Sequence, residues 1–306
     1  MLPRRARCGP FANRLPRMAD EIPQAEGAEH RFVNANGIRV HVAEAGPPDA
    51  PAVLLLHGWP QHWYMWRRVM AGLREEFRLL APDLRGFGWT EAPGHGYDAE
   101  TFAEDQVALL DALELERAHV VGHDWGGWTA MLLGILHADR VDRMVVCNAP
   151  HPWSRLDLRI LAELWRSWYT WLIATPVIGR RVLQSAWIAH QYMRINAGLP
   201  FNDEETEIYS RSFREPARAQ AVVELYRYYQ RVVLETVRGR WRSHRLSAPT
   251  LLLFGERDVS LSTRLLPGYE PYADDMRVQL VPDSGHFIVD EKPELVTERT
   301  RQWLGA

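Results

Sequence analysis

The residues Val120-Val121-Gly122-His123-Asp124-Trp125-Gly126-Gly127 read, in order, as the end of a strand, a sharp turn and the start of a helix. Glycines stand two places before and two places after Asp124, the spacing by which a G-x-S-x-G nucleophile elbow lets strand and helix approach closely. Here the elbow residue is Asp, not Ser. Such a turn lifts the side chain above the sheet, with the positive end of a helix dipole beneath it, which favours a carboxylate. The commonplace alternative is an N-cap Asp that only stabilises its helix. The rest of the chain decides between the two.

Around this turn, strand and helix signals alternate. Residues 31–46 read as a hairpin about Asn36-Gly37, the strongest short hairpin signal. The run at 52–56 is apolar without alternation, as in a strand buried on both faces of a parallel sheet. A helical stretch at 63–75, a strand at 77–81, a helix at 101–113, a strand at 119–122, a helix at 126–136 and a strand at 143–147 follow. This β/α alternation predicts a doubly wound, mostly parallel sheet with right-handed crossovers. It stops at Asn148-Ala149-Pro150 and resumes with strands at 249–254 and 277–281, a helix-like segment from Ser262 and a closing helix at 293–304. The expected organisation is an Arg/Pro-rich leader over 1–22, a first core part over 23–150, a helical lid over 151–244 and a second core part over 245–306. A lid there lies over the carboxyl ends of the strands, where α/β sheets bind ligands.

Composition narrows the classes. The chain has 306 residues, 46 % hydrophobic and 25 % charged, which is ordinary soluble globular composition. A net charge of -3 gives no reason to expect a nucleic-acid or membrane partner. No run approaches the length of a membrane span. The first seventeen residues hold five Arg and no acid but no apolar run, so they are not a secretory signal; a disordered arm, or a true start at Met18, is the expectation. Cys8 and Cys147 have no metal spacing, and a cytoplasmic location is expected. Thirteen Trp are present, six of them between positions 150 and 245; such residues fill cores or line pockets, and core packing is the expectation for any one of them.

Two further sites turn the argument at Asp124 toward catalysis. Phe254-Gly255-Glu256-Arg257-Asp258 ends a strand and puts an acid in the next loop, with Asp258 favoured over Glu256 by its position. Val281-Pro282-Asp283-Ser284-Gly285-His286 puts a histidine after the last strand. Alone, each is a turn former or a surface residue. Together, in the order nucleophile, acid, histidine, they form a candidate triad. His57-Gly58-Trp59-Pro60 follows the first parallel strand, so the backbone N–H groups of Trp59 and Trp125 are candidates for a two-donor oxyanion hole.

On HGWP (57–60), DLRGFGWT (83–90), GHDWGG (122–127), NAPHP (148–152), GERD (255–258) and DSGHF (283–287), the chain resembles the α/β-hydrolase superfamily, and within it the epoxide hydrolases and haloalkane dehalogenases. The resemblance implies a covalent alkyl ester on Asp124, hydrolysed by water that the His286–Asp258 pair activates. For epoxide hydrolases it also implies two lid tyrosines as general acid. SWYTW (167–171) and ELYR (224–227) are similar to the segments that carry them, giving Tyr169 and Tyr226. An alkoxide leaving group needs a proton, and a phenol of pKa about 10 suits the task. A halide does not need one. The dehalogenases' common Asn partner would stand at Trp59, and Asn148 cannot serve as the triad acid that some of them place there. The expectation is therefore an epoxide hydrolase acting on a small apolar or aromatic epoxide with water. A haloalkane dehalogenase and a non-catalytic hydrolase-like ligand-binding protein are the alternatives. No cofactor or metal motif is present, and a homodimer is compatible with the sequence.

Overall fold

The computed structural model describes residues 22–154, 164–197 and 201–305; the expected leader lies outside these residues apart from Ile22. Eight strands form one sheet: β1 (Glu29–Ala35), β2 (Ile38–Ala45), β3 (Ala52–Leu56), β4 (Arg78–Pro82), β5 (Ala118–His123), β6 (Val141–Cys147), β7 (Thr250–Gly255) and β8 (Met276–Val281). Their order is β1-β2-β4-β3-β5-β6-β7-β8. β1 and β2 pair antiparallel, β2 joins β4 antiparallel, and the remaining pairs are parallel. The β1–β2 hairpin turns on Asn36 and Gly37 at φ 46° and 73°, the left-handed geometry a two-residue turn requires.

The central strands explain the apolar runs. Every residue of β3 and of β7 is buried, because helices cover both faces. Helices α1 (Arg67–Leu73), α2 (Ala99–Ala112) and α3 (Trp125–Leu136) make the crossovers between β3, β4, β5 and β6. Buried Asp83 ties the loop after β3 to the loop after β4, accepting from the Trp63 N–H at 2.8 Å, the Trp89 N–H at 2.9 Å and His41 Nδ1 at 2.7 Å. Burial alone would raise its pKa, but the facing histidines and these donors hold it far below the usual carboxylate range.

Between β6 and β7 the described residues contain helices and no named strand: α4 (Trp168–Ala174), α5 (Pro176–Gln184), α6 (Trp187–Asn196), α7 (Asp203–Ser210) and α8 (Pro216–Arg238). Pro176 and Pro216 open two of them, where the missing N–H is harmless. Asn202 and Glu205 close a capping box on α7, which satisfies two otherwise unpaired backbone donors. Within this stretch Trp153 and Trp241 pack inside as expected, but Trp165, Trp168, Trp171 and Trp187 are 71 %, 50 %, 65 % and 51 % exposed. The other Trp residues of the chain are buried. The apolar faces of these short helices are filled by Ile173, Leu183, Ile188 and Met193 instead.

The segment after Ser262 also departs from expectation. It makes only a single 3-10 turn, Thr263–Leu265, because Pro267 and Gly268, the latter at φ 100°, follow at once and neither continues a helix. After β8, a short helix α9 (Ile288–Glu291) precedes the closing helix α10 (Pro293–Leu304).

Candidate active site

Asp124 joins β5 to α3 with φ 52° and ψ -117°, a strained conformation for a residue with a side chain. Hydrogen bonds hold it there: its N–H donates to the Cys147 carbonyl at 3.1 Å, and its carbonyl accepts from the Trp128 N–H at 2.9 Å. Gly126 makes the turn sterically feasible, since a Cβ at that position would lie 2.1 Å from the Leu56 carbonyl oxygen. The Asp124 side chain makes no capping hydrogen bond to α3. Instead its Oδ1 accepts from the Trp59 backbone N–H at 3.0 Å. The N-cap reading therefore has no hydrogen bond to support it. The Trp125 N–H belongs to the first residue of α3, directly after Asp124.

His286 closes the constellation from the loop after β8. Its Nδ1 lies 2.8 Å from Asp258 Oδ2, and its Nε2 lies 3.6 Å from Asp124 Oδ2. The ring is fully buried and Nε2 has no hydrogen-bond partner. Two backbone contacts fix the loop: the His286 N–H donates to the Asn196 carbonyl at 3.1 Å, and the His286 carbonyl accepts from His123 Nε2 at 2.8 Å. Burial would lower the imidazole's pKa, but Asp258 and Asp124 outweigh it and push it up to about 10. Burial would likewise raise the Asp258 carboxyl, which His286 and its donors hold below its ordinary value.

The donors on Asp258 include one that the sequence did not announce. Oδ1 accepts from the Ser260 and Leu261 N–H groups at 2.8 and 2.9 Å, and Oδ2 accepts from Asn148 Nδ2 at 2.7 Å as well as from His286. Asn148 stands at the end of β6, and its Oδ1 in turn accepts from the Gly255 N–H at 3.3 Å. An amide there cannot be the acid, but it braces the acid of the neighbouring strand. Asn148→Val should leave a buried carboxylate one donor short and destabilise the fold by about 1–3 kcal/mol. Urea unfolding checks this, and a change inside ±0.5 kcal/mol, the range of an ordinary surface substitution, would contradict the bracing role.

Tyr169 on α4 and Tyr226 on α8 converge above Asp124. The Trp59 ring packs against both, at 6.1 Å and 5.4 Å between centroids, and the two phenol rings are 5.9 Å apart. The Tyr226 ring also meets the Trp125 indole edge-on, at 6.1 Å between centroids. Burial raises the pKa of both phenols, so both stay protonated. Tyr192 on α6 joins them, 4.8 Å from the Tyr169 ring and 5.8 Å from His286. Asp124, Trp125, Tyr169, Tyr192, Tyr226 and Tyr229 share the wall of one mostly apolar cavity of about 130 Å³. The exposed tryptophans take no part in that wall. Among the described residues no group of three or more His, Cys, Asp or Glu side chains is placed to hold a metal ion, and no helix is long and apolar enough to cross a membrane.

The family described as alpha/beta hydrolase fold matches residues 51–293. Curated relatives include Epoxide hydrolase 2 of Caenorhabditis elegans, 28 % identical over 287 residues, which are 90 % of this chain and 79 % of that protein. Epoxide hydrolase 3 of Xenopus tropicalis is 30 % identical over 293 residues, covering 90 % of this chain and 78 % of its own length. Among solved structures, the epoxide hydrolase CorEH without ligand superposes with a TM-score of 0.80 at 24 % identity, covering 91 % of this chain and 99 % of that one; at that identity the likeness speaks for the fold.

Proposed function

We propose that this chain, which belongs to the alpha/beta hydrolase fold family, opens an epoxide to a vicinal diol through an ester on Asp124. One observation carries the reading: two protonated phenols, Tyr169 and Tyr226, share a cavity wall with the Asp124 carboxylate. A carboxylate that attacks carbon and donors that receive the displaced oxygen are what ring opening needs.

The steps follow from the geometry. Asp124 Oδ1 is held by the Trp59 N–H, which leaves Oδ2 to attack an epoxide carbon. The carbon–oxygen bond of the ring breaks, its electron pair stays on oxygen, and that oxygen takes a proton from a lid phenol. The ester now carries no charge, so one of the two anions that keep His286 protonated is gone, the imidazole's pKa falls, and its proton passes to the phenolate left on the lid. Neutral His286, oriented by Asp258, takes a proton from water through Nε2, and the hydroxide attacks the ester carbonyl. The Trp59 N–H, already on Oδ1, stabilises the tetrahedral oxyanion, with the Trp125 N–H as second donor. Collapse breaks the bond between the ester carbonyl carbon and the substrate oxygen, which takes the proton from His286 and leaves as the diol, and the Asp124 acid then ionises, returning a proton to His286. Helices α4 to α8 act as the lid that brings the phenols and excludes water.

A halide would call on free N–H donors. The two phenols on the cavity wall serve an oxirane oxygen, which needs a proton, and not a halide, which needs none. The mechanism is tested by a single turnover in ¹⁸O-water. Because water attacks the ester carbonyl, the label should enter the peptide that contains Asp124, and the first diol should carry an unlabelled oxygen from the enzyme. Label in the diol alone would remove the covalent step.

A further inference from the structure

We infer that His151 forms a second recognition site in the cavity, accepting a hydrogen bond from a hydroxyl or N–H group that the preferred epoxide carries away from its oxirane ring. The inference rests on the epoxide reading and deepens it by naming a substrate class.

His151 follows β6 and forms part of the same cavity wall as Asp124, yet takes no part in the triad. Its side chain is fully buried. Nε2 lies 2.8 Å from the Leu266 carbonyl oxygen, which can only accept, so Nε2 bears the proton. Burial lowers the ring's pKa against the pull of neighbouring backbone carbonyls, and the ring stays neutral. Nδ1 is then a lone-pair acceptor, and it has no hydrogen-bond partner in the protein. A buried acceptor without a donor is costly, so such atoms point to a partner that arrives from outside.

The surroundings say which kind of partner. Ser154, also on the cavity wall, lies 2.8 Å from the carbonyls of both His151 and Leu265, so its single proton is committed and it shows the cavity lone pairs. The His151 ring is packed against Trp153 at 6.0 Å and Tyr269 at 5.7 Å, which limits its freedom to turn away. At this point of the wall the protein offers acceptors, although Arg166 and several hydroxyl groups line the cavity elsewhere. A carboxylate or ether oxygen set against His151 Nδ1 would meet like partial charge, whereas a hydroxyl or N–H would complete it.

The test compares meta and para hydroxymethyl styrene oxides with their methyl ethers, which keep the shape but lose the donor, and with styrene oxide itself. For at least one isomer the wild-type enzyme should prefer the alcohol by about 10- to 100-fold in kcat/KM. In His151→Gln the amide nitrogen can replace Nε2 toward Leu266, but the Nδ1 acceptor is lost. The readout is the alcohol-to-ether ratio, which should collapse toward one whatever the absolute rates. Equal kcat/KM for alcohols and ethers in the wild-type enzyme, a result that needs no variant, would overturn the inference alone. An undiminished ratio in a folded His151→Gln would do the same, assigning the preference elsewhere. No diol from any of these epoxides, styrene oxide included, would remove the epoxide reading and this inference with it.

Discussion

His286→Gln should abolish steady turnover, by about 10³-fold or more, while leaving the enzyme able to react once. The variant loses the base that activates water, but the Asp124 carboxylate and the lid phenols remain. Substrate should therefore accumulate as an ester on the peptide containing Asp124, seen by mass spectrometry as an added substrate mass after mixing. The Trp59 N–H still positions Oδ1, so attack does not depend on the imidazole. Wild-type turnover in this variant would exclude His286 from the mechanism. Loss of turnover with no adduct would mean that the imidazole is needed for alkylation too.

The second large effect is expected from the phenols. Tyr169→Phe and Tyr226→Phe should each slow alkylation by about 10²-fold, and the double variant should be far slower than either, since one donor partly covers for the other. Tyr192 is not expected to rescue it. Its hydroxyl lies 3.0 Å from Ser260 Oγ, and Ser260 also contacts Asn196 Oδ1, an oxygen that can only accept. The Tyr192 hydroxyl is engaged in this side-chain network rather than standing free toward a substrate. Rapid-quench measurement of alkylation, with folding checked by circular dichroism, decides the matter. Undiminished alkylation by a folded double variant would remove Tyr169 and Tyr226 as the acid, and release of halide from a haloalkane by that protein would favour the dehalogenase alternative.

Local signals in the chain reveal the sheet more fully than they reveal the site. β3 and β7 announce themselves as short apolar runs because nothing but burial on both faces explains them, and Asn36-Gly37 marks its turn by backbone geometry alone. The Gly-flanked Asp124 is legible for the same local reason. Asn148 was not, because bracing Asp258 arises only when β6 and β7 lie side by side, 110 positions apart in sequence for the two residues concerned. Tyr192 is one of six tyrosines between positions 151 and 244, and nothing local singles it out, because its neighbour relation to Tyr169 depends on how α4 and α6 pack. The segment after Ser262 misled for a different reason: its first residues favour a helix turn, and Pro267 with Gly268 ends it.

The uneven placement of tryptophan has an optical consequence. Nine indoles are buried at 9 % exposure or less, while the four exposed ones all belong to the helical segment between β6 and β7. Water-facing indoles emit at longer wavelength and are reached by dissolved quenchers such as acrylamide, whereas enclosed ones emit to the blue and are shielded. The red edge of the intrinsic fluorescence therefore reports on the helices between β6 and β7, and the blue edge reports mainly on the rest of the chain, which holds seven of the nine buried indoles. Any rearrangement of these helices on ligand binding would be followed on the first signal while the second shows that the rest of the chain has stayed folded, with no label attached.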